Sequence, residues 1–200
     1  MNNEIQQAKA ALRAKARTEL EKMSPAERAS ASLAACLRLE QQKIWQKAQS
    51  ILFYAPTADE PDIWKLVADS LALGKTVALP RFVAEQNHYV ACQIKDPGRD
   101  IRSGKFGIRE PDEKCAKIEL NRLDLALAPG VAFDLHGRRL GRGRGFYDRL
   151  LAEFPGTACG VAFDQQIVGE IPVEPHDVVL SCILTPTRWQ WVAGPRAVLK

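Results

Sequence analysis

The chain is predicted to be an α/β domain with a mainly parallel central sheet flanked by helices, and three observations predict it. Short apolar, β-prone runs alternate along the sequence with stretches of helix-forming residues, the pattern of a sheet wound with helices. Turn and cap residues separate them, so that each run has a definite start or stop. No internal repeat, low-complexity tract or Gly/Ser linker interrupts the pattern, so residues 1–200 read as a single domain with a core of its own.

Residues 4–22 are rich in Ala, Leu, Lys, Arg and Glu, all good helix formers. Leu12 and Ala16 share one side of that helix, while Lys9 and Arg13, four apart, project together from another. Ser24-Pro25-Ala26-Glu27 starts a second helix, with Ser as N-cap, Pro at the first position and Glu three after the cap; it should run to about Gln42. Residues 50–54 (SILFY) read as a buried strand, and 61–73 as a helix closed by Gly74. Strands follow at 76–79, ending in Pro80-Arg81, and at 88–94; the Gly, Pro and charged residues of 95–117 suggest a loop-rich connection. Residues 125–129 (LALAP) form a further buried strand, 146–154 a helix, 157–163 and 178–184 two more strands, and 188–192 a final one. In such sheets ligands sit beyond the carboxyl ends of the strands, here Tyr54 onwards, Pro80-Arg81, 129–134 and Phe163-Asp164.

Bulk properties narrow the function. The composition is 46% hydrophobic and 26% charged, which is that of a globular chain rather than a disordered one. The net charge of +4 is too small to establish nucleic-acid binding, although it favours an anionic ligand. No apolar run approaches the roughly 18 residues of a membrane span, and the first twenty residues lack the apolar core of a signal peptide. The five cysteines are scattered without a CxxC pair, so a reduced, cytoplasmic protein is expected. His88, His136 and His176 lie too far apart to make a helical metal face.

The most informative stretch is 137–148, GRRLGRGRGFYD. Gly141, Gly143 and Gly145 stand at alternate positions, permitting tight turns and close approach of backbone N–H groups to an anion. Arg139, Arg142 and Arg144 can add charge-assisted contacts to phosphate oxygens, and Asp148 can hold a magnesium ion bridging them. The spacing is neither that of a Walker A loop nor that of the dinucleotide fingerprint. The residues alone also fit a hairpin turn with solvated arginines, or an Arg-Gly RNA-binding segment. The apolar sequence on both sides marks a folded context and weighs against the last.

The run PGVAFD at 129–134, then Gly137, then RLGRGRGFYDRLL at 139–151, closely resembles the signature of the 5-formyltetrahydrofolate cyclo-ligase family, also called methenyltetrahydrofolate synthetases. The resemblance extends through nearly the whole chain. It implies a sheet similar to those of the sugar-phosphate isomerase and CoA-transferase group. It also implies ATP and 5-formyltetrahydrofolate, including polyglutamylated forms, as small-molecule substrates, Mg2+ as cofactor, a monomer, and neither nucleic-acid nor membrane partners.

Residue by residue, Lys9 and Arg13 match cations that contact ATP phosphates, though a solvated helix face fits them as well. Arg139, Leu140, Gly141, Arg142, Gly143, Arg144, Gly145, Phe146 and Tyr147 match the ATP loop, with Arg142 to Phe146 also near the formyl group. Glu60 matches the carboxylate that accepts N–H donors of the pterin-like ring, against the plain alternative of a helix-start acid. Ala55 matches a wall contact, and Phe106 an aromatic that stacks on folate, where a core aromatic is the alternative. Asp148 and Asp177 match two carboxylates of the metal shell. The catalytic residues implied are Arg144 and Lys9. Two departures stand out: Ser181 occupies a position where Asp is common, and Phe146 replaces the first Tyr of a Tyr-Tyr-Asp run.

The implied reaction is ATP-dependent closure of the folate ring through phosphorylation of the formyl oxygen. The same residues admit two other function classes. An RNA-binding module predicts steeply salt-dependent affinity without ATP turnover, and a sugar-phosphate isomerase needs a general base that the sequence does not offer.

Overall fold

The computed structural model describes residues 2–104 and 107–192. Helices α1 (Asn2–Glu21), α2 (Pro25–Glu40) and α3 (Lys43–Lys47) precede strand β1 (Ser50–Leu52), helix α4 (Trp64–Ala72) and the hairpin β2 (Thr76–Val83) and β3 (His88–Ile94). A short turn of helix, α5 (Pro97–Asp100), leads into a two-stranded ribbon of β4 (Ile101–Ser103) and β5 (Arg109–Pro111). Strand β6 (Leu125–Ala128), the small hairpin β7 (Ala132–Phe133) and β8 (Arg139–Leu140), helix α6 (Phe146–Ala152), and strands β9 (Thr157–Val161), β10 (Cys182–Leu184) and β11 (Trp189–Trp191) complete the order.

Seven strands form one sheet in the order β11-β10-β9-β6-β1-β2-β3. The inner pairs are all parallel, and only the two edge strands, β11 and β3, run antiparallel to their neighbours. The mainly parallel α/β architecture is therefore as expected. The period of two along a strand sorts the core into two layers. Ile51, Val77, Leu79, Leu125, Leu127 and Val161 pack with Leu39, Trp45, Leu66 and Val67 of α2, α3 and α4. Leu52, Ala78, Ala126, Ala128, Ala158 and Ile183 face the opposite way, towards Leu150, Leu151 and Phe154 at α6. The small residues on this second face let the β7–β8 hairpin approach closely: a Cβ added at Gly160 would lie 2.8 Å from the Phe133 ring.

Local sequence explains the element boundaries. Helix α2 starts on the anticipated capping box, in which the Ser24 hydroxyl accepts from Glu27 N–H and the Glu27 carboxylate accepts from Ser24 N–H. Helix α4 begins at Trp64 rather than residue 61, because Pro61 is spent otherwise: its carbonyl accepts the buried Tyr54 hydroxyl at 2.8 Å. Strand β2 runs beyond the expected residue 79. Pro80 has no N–H to offer β1, so pairing with β1 stops at Ala78 while pairing with β3 continues to Val83. The strand expected at 178–184 is confined to Cys182–Leu184, since Leu180 N–H bonds instead to Gly137 carbonyl at 2.8 Å. Three features had no clear sequence signal: α3, the β4–β5 ribbon and the β7–β8 hairpin.

Candidate active site

Along the sheet, β1 leads to β2 on one side while β6 lies on its other side, so the winding reverses between β1 and β6. Loops leaving neighbouring strands at such a reversal part and open a crevice. A cavity of about 610 Å³ lies there, a size suited to small-molecule ligands. The loop after β1 supplies Ala55, Thr57 and Glu60, the end of β6 supplies Pro129 and Gly130, and β3 supplies Tyr89. Residues 107–110 close one side, and Arg139 with the run from Gly141 to Asp148, Gly143 excepted, forms another.

The glycine loop is anchored at its base by Asp134. This fully buried carboxylate accepts from the backbone N–H groups of His136, Arg138 and Ile171 at 3.0 Å each. Gly137 has φ +82 and sits under Leu180, where a Cβ would meet the Leu180 carbonyl at 2.6 Å. Gly143 and Gly145 also adopt positive φ, +93 and +62, so the loop follows a path that residues with side chains rarely take.

The arginines of the loop hold different posts. Arg139 is buried; it donates to Asp148 Oδ1 at 2.7 Å, packs at 5.7 Å from the Tyr147 ring centroid, and its Nε–H has no partner. Arg142 donates to Thr57 Oγ1 at 2.7 Å and lies 3.4 Å from Glu60 Oε1. Arg144 is exposed at the cavity wall. Arg13 donates through Nε to Gly141 carbonyl at 2.8 Å, and its guanidinium lies where a Gly143 Cβ would touch it at 3.6 Å.

The remaining anticipated residues divide into two groups. Ala55, Glu60, Gly141, Arg142, Arg144, Gly145, Phe146, Tyr147 and Asp148 line the cavity. Lys9, Arg13, Leu140, Gly143 and Asp177 do not. Leu140 turns its side chain into an apolar cluster with Ala16 of α1 and Ile171. Lys9 is buried between two carboxylates, 2.6 Å from Asp177 Oδ2 and 2.8 Å from Glu174 Oε2. Burial works against its charge, but the hydrogen bonds to Asp177 and Glu174 outweigh it and leave the ammonium pKa raised. Asp177 thus stands with Glu174 and His176, whereas Asp148 stands with Arg139. Phe106 lies outside the described residues.

Other members of the site carried no legible signal. Phe82 and Tyr89 join the anticipated Phe146 and Tyr147 in an aromatic nest with ring centroids 5.2 to 5.9 Å apart. Burial pushes the Tyr147 phenol well above its ordinary range, with the negative charge of Glu60 adding to the effect. Glu110 lies almost fully buried at the cavity wall, accepting from Phe82 N–H at 3.0 Å, and burial raises its pKa. Gln166, also buried, spans the floor: it accepts from Phe163 N–H and donates to the carbonyls of Gly130 and Val131. Thr57 joins Arg142 to Glu60. Each of these depends on which strands become neighbours, and a local motif cannot report that.

A cationic glycine loop on one wall and a carboxylate with aromatic rings on the others define a class: an α/β enzyme that brings a phosphate-bearing co-substrate against a flat, N–H-bearing one. Comparison with known proteins specifies it. Residues 5–186 match the model of the 5-formyltetrahydrofolate cyclo-ligase family. A 5-formyltetrahydrofolate cyclo-ligase of Mycolicibacterium smegmatis is 36% identical over 148 residues, covering 70% of this chain and 75% of that protein. A probable 5-formyltetrahydrofolate cyclo-ligase of Caenorhabditis elegans is 31% identical over 192 residues, covering 90% and 93%. The NMR structure of Aquifex aeolicus 5,10-methenyltetrahydrofolate synthetase superimposes with a TM-score of 0.83 at 30% identity, over 94% of this chain and 95% of that one.

The chain belongs to the 5-formyltetrahydrofolate cyclo-ligase family. It is an ATP-dependent ligase of folate one-carbon metabolism, converting 5-formyltetrahydrofolate to 5,10-methenyltetrahydrofolate. No helix among the described residues is long and apolar enough to cross a membrane.

Proposed function

We propose that the cavity holds ATP and 5-formyltetrahydrofolate together and activates the formyl group by phosphorylation. An N-formyl amide is a poor electrophile because nitrogen donates into its carbonyl, and ring closure by N10 requires the carbonyl oxygen to leave. The N5-formyl oxygen attacks the γ-phosphorus in line and ADP departs, giving a formyl iminophosphate. N10 then attacks the formyl carbon and loses its proton, and phosphate leaves with the C–O bonding pair to give the 5,10-methenyl cation.

The protein's work is positioning and charge neutralisation, as in other phosphoryl transfers. Arg139, Arg142, Arg144 and the loop backbone from Leu140 to Phe146 hold the phosphates, with Tyr147 against Arg139. Arg13 braces the loop from α1 through the Gly141 carbonyl, and Arg144 acts most directly on the transferring group. Lys9, held between Asp177 and Glu174 outside the cavity lining, takes part only by exchanging a carboxylate for phosphate. Glu60 accepts pterin N–H donors, while Ala55 and Phe146 wall the folate.

Asp148 suits a magnesium ion: it faces the cavity and gives Arg139 only one of its two oxygens, and hard cations take carboxylate oxygen. Asp177, the second carboxylate expected for that shell, is paired instead with Lys9 outside the cavity lining, so Asp148 is the carboxylate that would hold the ion. A bound magnesium ion supplies charge neutralisation across the phosphate oxygens. The enzyme works as a cytoplasmic monomer on free and polyglutamylated folate, without nucleic-acid or membrane partners.

The observation that carries this reading is the meeting of Arg139, Arg142, Arg144 and Asp148 with Glu60 around one cavity. The test mixes purified protein with 5-formyltetrahydrofolate, with and without Mg-ATP, and follows the methenyl product. Equal product without ATP would rule the mechanism out. Arg144→Ala and Asp148→Ala are expected to lose turnover while staying folded, and full activity in both would remove the loop from the active site.

A further inference from the structure

Arg142 stands between two glycines, and Gly143 has φ +93, so neither neighbour restrains it sterically. Its side chain is half exposed, at 52%. A long cation in that setting samples many rotamers, and fixing it costs entropy at the moment of reaction unless something holds it beforehand. Thr57 does so from the facing loop. Its Oγ1 accepts from Arg142 Nη2 at 2.7 Å, closer than the 3.4 Å to Glu60 Oε1.

Thr57 is itself held. Its N–H donates to Glu60 Oε2 at 2.9 Å and its carbonyl accepts from Glu60 N–H at 3.1 Å, closing a tight turn. A hydroxyl orients the guanidinium without neutralising it, and the Glu60 carboxylate, at the longer 3.4 Å, offsets its charge only in part. The contacts of Arg142 among the described residues use only Nη2, so its Nε and Nη1 donors are not committed to protein.

We propose that Thr57 is a positioning residue of the cyclisation: its hydroxyl holds Arg142 across the cavity, beside the Glu60 carboxylate that its N–H holds, and so joins the phosphate side of the site to the folate side. The inference rests on the reading of the cavity given above. It assigns Thr57 a part in aligning the formyl oxygen with the phosphoryl group, through Arg142 rather than by contact with either substrate.

The experiment is a double-mutant cycle on ATP-dependent methenyl formation, with Thr57→Val, Thr57→Ser, Arg142→Ala and the Thr57→Val/Arg142→Ala pair, each checked for an unchanged melting profile. Thr57→Val keeps the shape and removes the acceptor. It is expected to lower kcat by about five- to tenfold, the scale of one hydrogen bond to a charged group at a half-exposed site. Thr57→Ser restores the acceptor and is expected within about twofold of the parent by the same reasoning. In the Arg142→Ala background, Thr57→Val is expected to have no further effect. Losses that multiply in the pair, or a Thr57→Ser variant as slow as Thr57→Val, would overturn the inference. A Thr57→Val variant as fast as the parent, with ATP dependence intact, would overturn it alone. Turnover by the parent without ATP would overturn the reading of the cavity, and this inference with it.

Discussion

Gln166 offers the sharpest test of how the fold supports the site. It is fully buried, and its amide satisfies three backbone groups: Phe163 N–H at 2.8 Å, Gly130 carbonyl at 2.8 Å and Val131 carbonyl at 3.2 Å. Gly130 lines the cavity and packs against Arg139, whose Cγ lies 3.0 Å from where a Gly130 Cβ would be. Replacing Gln166 with Leu keeps much of the volume and removes all three partners. Each buried group left unsatisfied costs about 1–3 kcal/mol. The Leu side chain recovers roughly 1–2 kcal/mol by burying apolar surface. Three such groups less that gain make the expected net loss about 1–8 kcal/mol, with Val131 contributing least because its bond is the longest. In a chain of this size the middle of that range, about 4 kcal/mol, corresponds to a melting point lower by about 8–16 °C.

Urea unfolding with an unchanged slope is the assay, since slope reports exposed surface and midpoint reports stability. The variant is also expected to turn over more slowly at saturating substrates, because the floor beneath Arg139 loses its brace. An unfolding midpoint equal to the parent's, with full turnover, would refute the argument that these three bonds hold the floor.

Three further outcomes follow from the geometry. Gly143→Ala places a side chain at φ +93 with only the Arg13 guanidinium nearby, so the penalty is backbone strain of about 1–2 kcal/mol. The loop can relieve it by moving, so turnover is expected to fall while the melting point barely changes; loss of stability without loss of turnover would contradict this.

Glu174 has a lowered pKa because Lys9 donates to it. Its contribution to stability is therefore present above the ordinary carboxylate range and fades as pH falls through its folded value. Thermal melts from neutral to acid pH are expected to show a shallower acid loss in Glu174→Gln than in the parent, and parallel curves would refute the pairing. Ser24→Ala removes one half of the capping box of α2 and is expected to cost about 1 kcal/mol. Turnover, measured beside the melt, should not change.

How much of this was legible beforehand depended on whether a signal was local. The capping box at Ser24 and Glu27, the β3 limits at His88 and Ile94, and the start of α6 after Gly145 follow from residues within one turn of each boundary. The glycine-arginine loop could be read as a candidate phosphate site for the same reason: its spacing and charges lie in one short run. Lys9 and Asp177 show the limit. They are 168 positions apart and meet at 2.6 Å, and only the packing of α1 against the loops brings them together.

By itself, the sequence determined the alternation of strands and helices, hence the α/β class, and the family signature at 129–151. Those rest on local propensity and on the apolar period, which a chain carries wherever it lies in space. The tertiary structure alone decided that β1 and β6 become neighbours at the point of reversal. That adjacency sets the loop of Thr57 and Glu60 opposite the loop of Arg142. The pairing of β6 with β9 runs Gln166 beneath both Gly130 and Val131, and the packing of α6 on β3 encloses Tyr89 with Phe146 and Tyr147. The physical reason is that such contacts join segments far apart in the chain. Their positions are fixed by burying both faces of the sheet at once, and no stretch of residues contains that condition alone.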